Sequence, residues 1–227
     1  MLMTMPHIQE PMTAVTDLLI AAVSFYAFFR LLRRWPGPAA CERWYLWFFL
    51  VMGFSTVFGG FLNHAFAYIF PPGDRNMLPN WITNVLSVSC YAMAMVERAD
   101  GVRRLPLRKA LLAAVGVETV AVVGLTLWKM SFLYAEIHIA VVLYVFSLPL
   151  QIRLWRDGFR WENALAWAGT AVMTLIPVVL IAKLSFSEHF NFFDISHVII
   201  ATAMYLYYRA GLHWRETHPD LKHETTL

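Results

Sequence analysis

Charge is what this sequence has least of. Asp, Glu, Lys and Arg make up 15% of its 227 residues, against about 25% in ordinary soluble domains. So few charges exclude an ordinary water-soluble domain. The net charge of +3 is carried by basic residues that gather in loops, where they read as topology signals and not as a nucleic-acid surface. Cysteine is scarce too. Cys41 and Cys90 fall in different segments with no CxxC spacing, which excludes a disulfide framework and a zinc ribbon. Met1 to Gln9 holds no Lys or Arg, and the first apolar run is long and ends in RLLRRW; the expectation is a retained span and not a cleaved signal peptide. There is no low-complexity tract and no clear internal repeat, and Ser131, Ser185 and Ser187 show no nucleophile elbow.

What is present is apolar. The chain is 59% hydrophobic with a mean hydropathy of +0.55. Seven apolar segments of spanning length follow one another, near 11–33, 45–69, 78–97, 108–128, 132–154, 162–184 and 191–209. Dividers stand at Trp35-Pro36-Gly37-Pro38, Pro71-Pro72-Gly73-Asp74, Ala99-Asp100-Gly101 and Trp155-Arg156-Asp157-Gly158, with Ser187-Glu188-His189 before the last span. A short turn near Lys129 is expected between the fourth and fifth. The pattern predicts an all-α, seven-transmembrane helix bundle forming a single membrane domain over 1–227. Fifteen of the eighteen basic residues lie on one side, leaving Arg75, Lys129 and Lys183 on the other. The positive-inside rule then puts the N-terminus outside and the C-terminus in the cytoplasm. The tail HWRETHPDLKHETTL is expected to be solvated, as are His7, His189, His213, His218 and His223.

Intramembrane ionisable groups are functional candidates because each costs at least about 2.5 kcal/mol in hydrocarbon. At 1.5 Å per residue they cluster about 6–11 Å below the outer surface. Glu10, Thr13 and Asp17 follow one face of the first span at spacings of three and four. His64 closes FGGFLNH in the second span, where Gly59 and Gly60 permit close helix approach. Asn80 and Asn84 open the third, and Glu136 and His138 open the fifth, with His138 chosen to face the site. Asp194 and His197, three apart, share a face at the start of the last span. Imidazole and carboxylate together suit zinc, a proton relay or a purely structural hydrogen bond. Glu118 lies alone near the middle of the fourth span, with neither Lys129 nor Lys183 at helical spacing.

These residues resemble the CREST superfamily of seven-span membrane proteins, which joins the alkaline ceramidases, the progestin and adipoQ receptors and the hemolysin-III-like proteins. Glu10, Thr13, Thr16 and Asp17 stand at the spacings of the receptor branch's first-span motif. Gly60 and His64 occupy its Ser-x-x-x-His positions. Asn80 or Asn84 stands where the third span carries an Asp. Phe193 and His197 occupy the last span's His-x-x-x-His, with Asp194 one position on. The resemblance implies a zinc site and hydrolysis of an amide bond, in a divergent member from a bacterial inner membrane. The expected assignment is metal binding by His64, His197 and Asp194, with Asp17 or Glu10 as general base and Thr13, Asn84 and His138 as further polar groups. The substrate would be a lipid-like amide or ester drawn from membrane lipid, with no nucleic acid involved. The alternative is a transporter or receptor that uses the same cluster for protons or a solute; haem held by two of His64, His138 and His197 ranks last.

Overall fold

A computed structural model describes residues 8–69, 74–102 and 104–214. The expectations for the C-terminal tail beyond Trp214, and for His7, His218 and His223, lie outside the described residues. Those residues are almost wholly helical and include no strand; one isolated bridge joins Ser187 and Phe190.

The helices follow from apolar runs cut by Pro and Gly. Helix α1 spans Pro11–Arg34 with its proline in the first turn, where the missing N–H costs nothing. It stops at Trp35, whose N–H still bonds Leu31 O. Pro36 offers no donor, and Gly37 takes a positive φ of 64°. Helix α2 spans Ala40–Phe58 and runs into a widened π-helical stretch, Gly59–Ala65. Helix α3 covers Leu78–Val102 and α4 covers Arg108–Lys129. The turn at Lys129 is tight: Met130 caps α4 in the left-handed region at φ 51°, and α5, Leu133–Ala140, begins three residues later.

Prolines shape the next two rods. Widened turns at Val141–Ser147 separate α5 from α6, Leu148–Arg156. Pro149 has no N–H to give the carbonyl four residues back, so the ladder opens there. Pro177 acts likewise on Met173, and the rod divides at Thr174 into α7, Arg160–Met173, and α8, Leu175–Ala182. Helix α9 is Phe192–Leu212.

Five continuous stretches are long and apolar enough to cross a membrane: Pro11–Arg34, Ala40–Ala65, Arg108–Lys129, Leu133–Arg156 and Arg160–Ala182. Helices α3 and α9 are as long, at 25 and 21 residues. They sit most centrally, α3 against α2 and α4, and α9 against α1 and α7. Apolar side chains such as Val117, Val120, Trp128 and Ile181 point outward from α4 and α8, as suits a lipid-facing surface.

The core is aromatic toward the end of the bundle where α1 finishes. Tyr45, Phe48, Phe49, Tyr91 and Tyr207 interlock there, and the Tyr45 hydroxyl donates to Tyr207 O at 2.6 Å. Beside them Arg98 on α3 is buried against Glu162 on α7, Nη2 to Oε1 at 2.9 Å, and lies over the Trp214 ring. His213 is half-buried and accepts from Trp161 Nε1, which corrects the expectation that it is solvent-exposed. His189 is exposed as expected.

Candidate functional site

Three elements meet at the end where α1 begins. The approach of α1 to the widened turns of α2 is fixed by backbone hydrogen bonds from Gln9 N to Ala65 O and from Glu10 N to His64 O. Gly59 and Gly60 let the chains close. A Cβ built on Gly59 would lie 2.7 Å from Asp17 Oδ2 and 2.9 Å from Asn80 Nδ2. The π-helical stretch turns His64 toward α1, a use often seen for such widened turns.

Asp17 lies between two imidazoles. His64 Nε2 is 3.7 Å from its Oδ2, and His197 Nε2 is 3.6 Å from its Oδ1. Those gaps are too long for hydrogen bonds, and the buried Oδ2 has no hydrogen-bond partner. Each ring is held from its other side. Glu10 Oε2 is 2.7 Å from His64 Nδ1, and Thr16 Oγ1 is 3.0 Å from His197 Nδ1. Thr16 also donates to Thr13 O. Both rings are therefore oriented with Nε2 toward one carboxylate.

Asp194 is employed differently. Asn191 caps α9 by accepting from Phe193 N, and Asp194 Oδ2 reaches back to accept from Asn191 N at 2.7 Å. Its other oxygen lies 3.5 Å from Thr16 Oγ1. This is a capping box, which satisfies two helix-end donors at once. The spacing of Asn191 and Asp194 carried that signal.

His138 does not join His64 and His197, contrary to the expectation of one polar site. Burial is complete for His138, while Glu136 beside it is exposed. Its partners are Glu118 on α4, with Nδ1 and Oε2 2.6 Å apart, and Ser89 Oγ on α3, 3.0 Å from Nε2. That separation also removes haem ligation through His138 paired with either of the others. Thr13 is buried on the Asp17 face of α1. Asn84 keeps its Oδ1 buried without a hydrogen bond. Asn80 instead is tied down by Ser55, whose Oγ lies 2.9 Å from both its backbone and side-chain oxygens. Asn80 was among the polar groups expected at this level, whereas Thr16 was known from the sequence only by its place in the first-span motif and was given no role of its own.

Among the described residues no group of three or more His, Cys, Asp or Glu side chains forms a ready-made metal centre. Asp17, His64 and His197 come near to one. Two ligands of a tetrahedral zinc stand about 3.3–3.5 Å apart, and the two carboxylate–imidazole gaps exceed this by only a few tenths of an ångström. The ring centres, 6.1 Å apart, are about 1 Å wider than two imidazoles on one ion. The donors suit a divalent metal after a small inward movement: one carboxylate, two imidazoles and a holding partner on each Nδ1.

A profile of DUF6962, a family of unknown function, matches residues 12–216, and the chain belongs to that family. No curated protein matches it significantly.

Proposed function

We propose that this family member is a metal-dependent membrane hydrolase of a lipid-like amide or ester. In this reading all seven long helical rods cross a bacterial inner membrane, with the N-terminus outside and the site in the outer half. The observation that carries the proposal is the pairing of two imidazole Nε2 atoms with the two oxygens of one buried carboxylate. His64, His197 and Asp17 would hold the metal, zinc by the chemistry of the donors, and Asp17 thereby takes the ligand role first expected of Asp194. When bound, the metal would polarise a carbonyl and acidify water.

The residues of the chain do the rest. Glu10 and Thr16 fix the tautomer and tilt of the two rings. Asp17 Oδ2, buried and without a hydrogen-bond partner, is the atom placed to accept a proton from water. The Asn80 amide, beside the same point of Gly59, can donate to a developing negative oxygen.

Metal content of the detergent-purified chain, measured by plasma mass spectrometry, tests this. We expect about one zinc per chain, as a single three-ligand site requires, and its loss in His64→Ala, His197→Ala and Asp17→Asn. A metal-free parent would overturn the reading. A second reading, proton or solute binding without bond cleavage, draws on Gly60 and Phe193 standing where the superfamily has Ser and His. Bound zinc with no turnover of any lipid amide or ester, together with pH-driven flux in liposomes, would favour it.

A further inference from the structure

At the opposite end of the bundle the last turns of α1 and α9 lie side by side. The Trp35 and Trp214 rings stack with centres 5.8 Å apart, and a Cβ built on Gly211 would lie 3.4 Å from Leu31 Cδ1. On the outer surface of this seam stand two arginines, Arg30 on α1 and Arg209 on α9. Arg30 is exposed and Arg209 half-buried. Helix α1 ends at Arg34 and α9 at Leu212, so both side chains start about 4–6 Å inside the bundle end.

Tyrosines hold both cations. Arg30 donates to the Tyr208 hydroxyl, which is also hydrogen-bonded to that of Tyr26. The Tyr26 and Tyr208 rings meet edge to face at 5.5 Å, and the Tyr205 ring lies 6.0 Å from that of Tyr208. Arg209 sits over the Tyr205 ring at 6.0 Å and points Nη1 at its hydroxyl, 3.4 Å away. Elsewhere at this end Arg98, Arg108 and Arg153 lie against Glu162, Glu97 and Asp157. Among the described residues Arg30 and Arg209 form no ion pair with a carboxylate. A guanidinium carries more N–H donors than one hydroxyl can use, so each keeps donors for a further acceptor.

Charge and surroundings select that acceptor. Two cations joined through touching rings, with no acid between them, call for an anion, and a guanidinium fork matches phosphate oxygens two at a time. The surface leading from the arginines toward the middle of the bundle is apolar: Leu19 and Tyr26 on α1, and Val198 and Tyr205 on α9, are all exposed. Each pair keeps to one face of its helix, as an i, i+7 spacing requires. A free anion would use the cations alone. A phospholipid would use both features, with its phosphate on the guanidinium groups and its acyl chains along the seam. Tyrosine, apolar along its ring and polar at its tip, suits that boundary. A zwitterionic headgroup would bring its own cation against the arginines, so a net-anionic lipid fits better.

We propose that the α1–α9 seam is a binding site for one anionic phospholipid, its phosphate held by Arg30 and Arg209. Tyr208 and Tyr205 are positioning residues that set the two guanidinium groups at headgroup level. The proposal rests on α1 and α9 crossing the bilayer and is independent of any metal at Asp17.

The test is native mass spectrometry of the full chain in detergent, stripped of lipid and titrated with phosphatidylglycerol. One saturable adduct is expected, at least about tenfold tighter than with phosphatidylcholine of the same chains. Arg30→Gln with Arg209→Gln should remove that preference, and these surface changes should melt with the parent. Tyr208→Phe, which frees Arg30 but keeps the ring, should weaken the preference severalfold. Arg104→Gln with Lys109→Gln is the control: both residues are exposed, and the change removes the same charge at the turn between α3 and α4, away from the seam. No adduct with the parent, or equal affinity for the two lipids, would overturn the proposal. So would an equal loss in the two double variants, which would make the effect one of overall charge. Displacement of the lipid by millimolar inorganic phosphate would overturn it too, by making the ligand a free anion.

Discussion

Adding one methyl group, Gly59→Ala, tests how closely α1 and α2 are brought together at the site. Gly59 opens the widened stretch with right-handed helical torsions, φ −55° and ψ −57°, so alanine brings no torsional strain. Helix propensity alone favours it by about 0.8–1.0 kcal/mol. Space opposes it. The new Cβ would sit 2.7 Å from Asp17 Oδ2, where an ordinary contact begins at 3.4 Å, so the carboxylate must retreat by about 0.7 Å, and overpacking of this kind costs about 1–3 kcal/mol. The two terms nearly cancel at the small end and leave about 2 kcal/mol of destabilisation at the large end. The site should suffer more than the fold. Displacing a group by about 1 Å can cost about 100-fold in a reaction that depends on placement, and disturbed ligand support lowers metal affinity by about 10–100-fold. Zinc competition titration and thermal unfolding in detergent make the comparison, with Gly116→Ala, where a Cβ would meet nothing within 4 Å, in parallel. We expect Gly116→Ala to be neutral or slightly stabilising and Gly59→Ala to lose affinity. If Gly59→Ala binds zinc like the parent and melts as high as Gly116→Ala, the close approach argued here is wrong.

Three further outcomes are expected. Arg98→Met or Glu162→Gln alone strands a buried charge and should cost about 3–5 kcal/mol, while a paired Arg98→Met, Glu162→Met change recovers most of it; denaturant titration decides. Asn191→Ala removes the α9 cap and should cost about 1 kcal/mol, seen as faster amide exchange at Phe193 to Ile195; unchanged exchange would contradict the capping role. Thr16→Val frees His197 Nδ1 and should lower zinc affinity about 10–100-fold, with Thr16→Ser restoring it; equal affinities in both variants would mean that Thr16 orients nothing.

The rods were legible because hydropathy and proline placement are local. Pro149 and Pro177 mark where the helices widen or break, and the tight turn after Lys129 needed only Met130 to leave the helix. The common level of Asp17, His64 and His197 along their helices was legible too, and the three meet at one end of the bundle although they come from three separate stretches. Rotation about each helix axis was not. Nothing local says that Asp17, and not Asp194, faces both imidazoles, although Asn191 three residues before Asp194 was a visible capping signal. The meeting of His138 with Glu118 and Ser89 depends on the mutual rotation of α3, α4 and α5, and no spacing within one helix encodes it.

The Arg98–Glu162 pair also sets an order of events in biosynthesis. The two residues are 64 positions apart, an interval the ribosome covers in about 3–13 s at 5–20 residues per second. Throughout it, α3 carries a cation whose partner has not been made. That charge opposes burial of the end of α3 until α7 arrives. The ion pair therefore cannot close before α7 has been made, and a chain interrupted between α6 and α7 would carry Arg98 without its carboxylate.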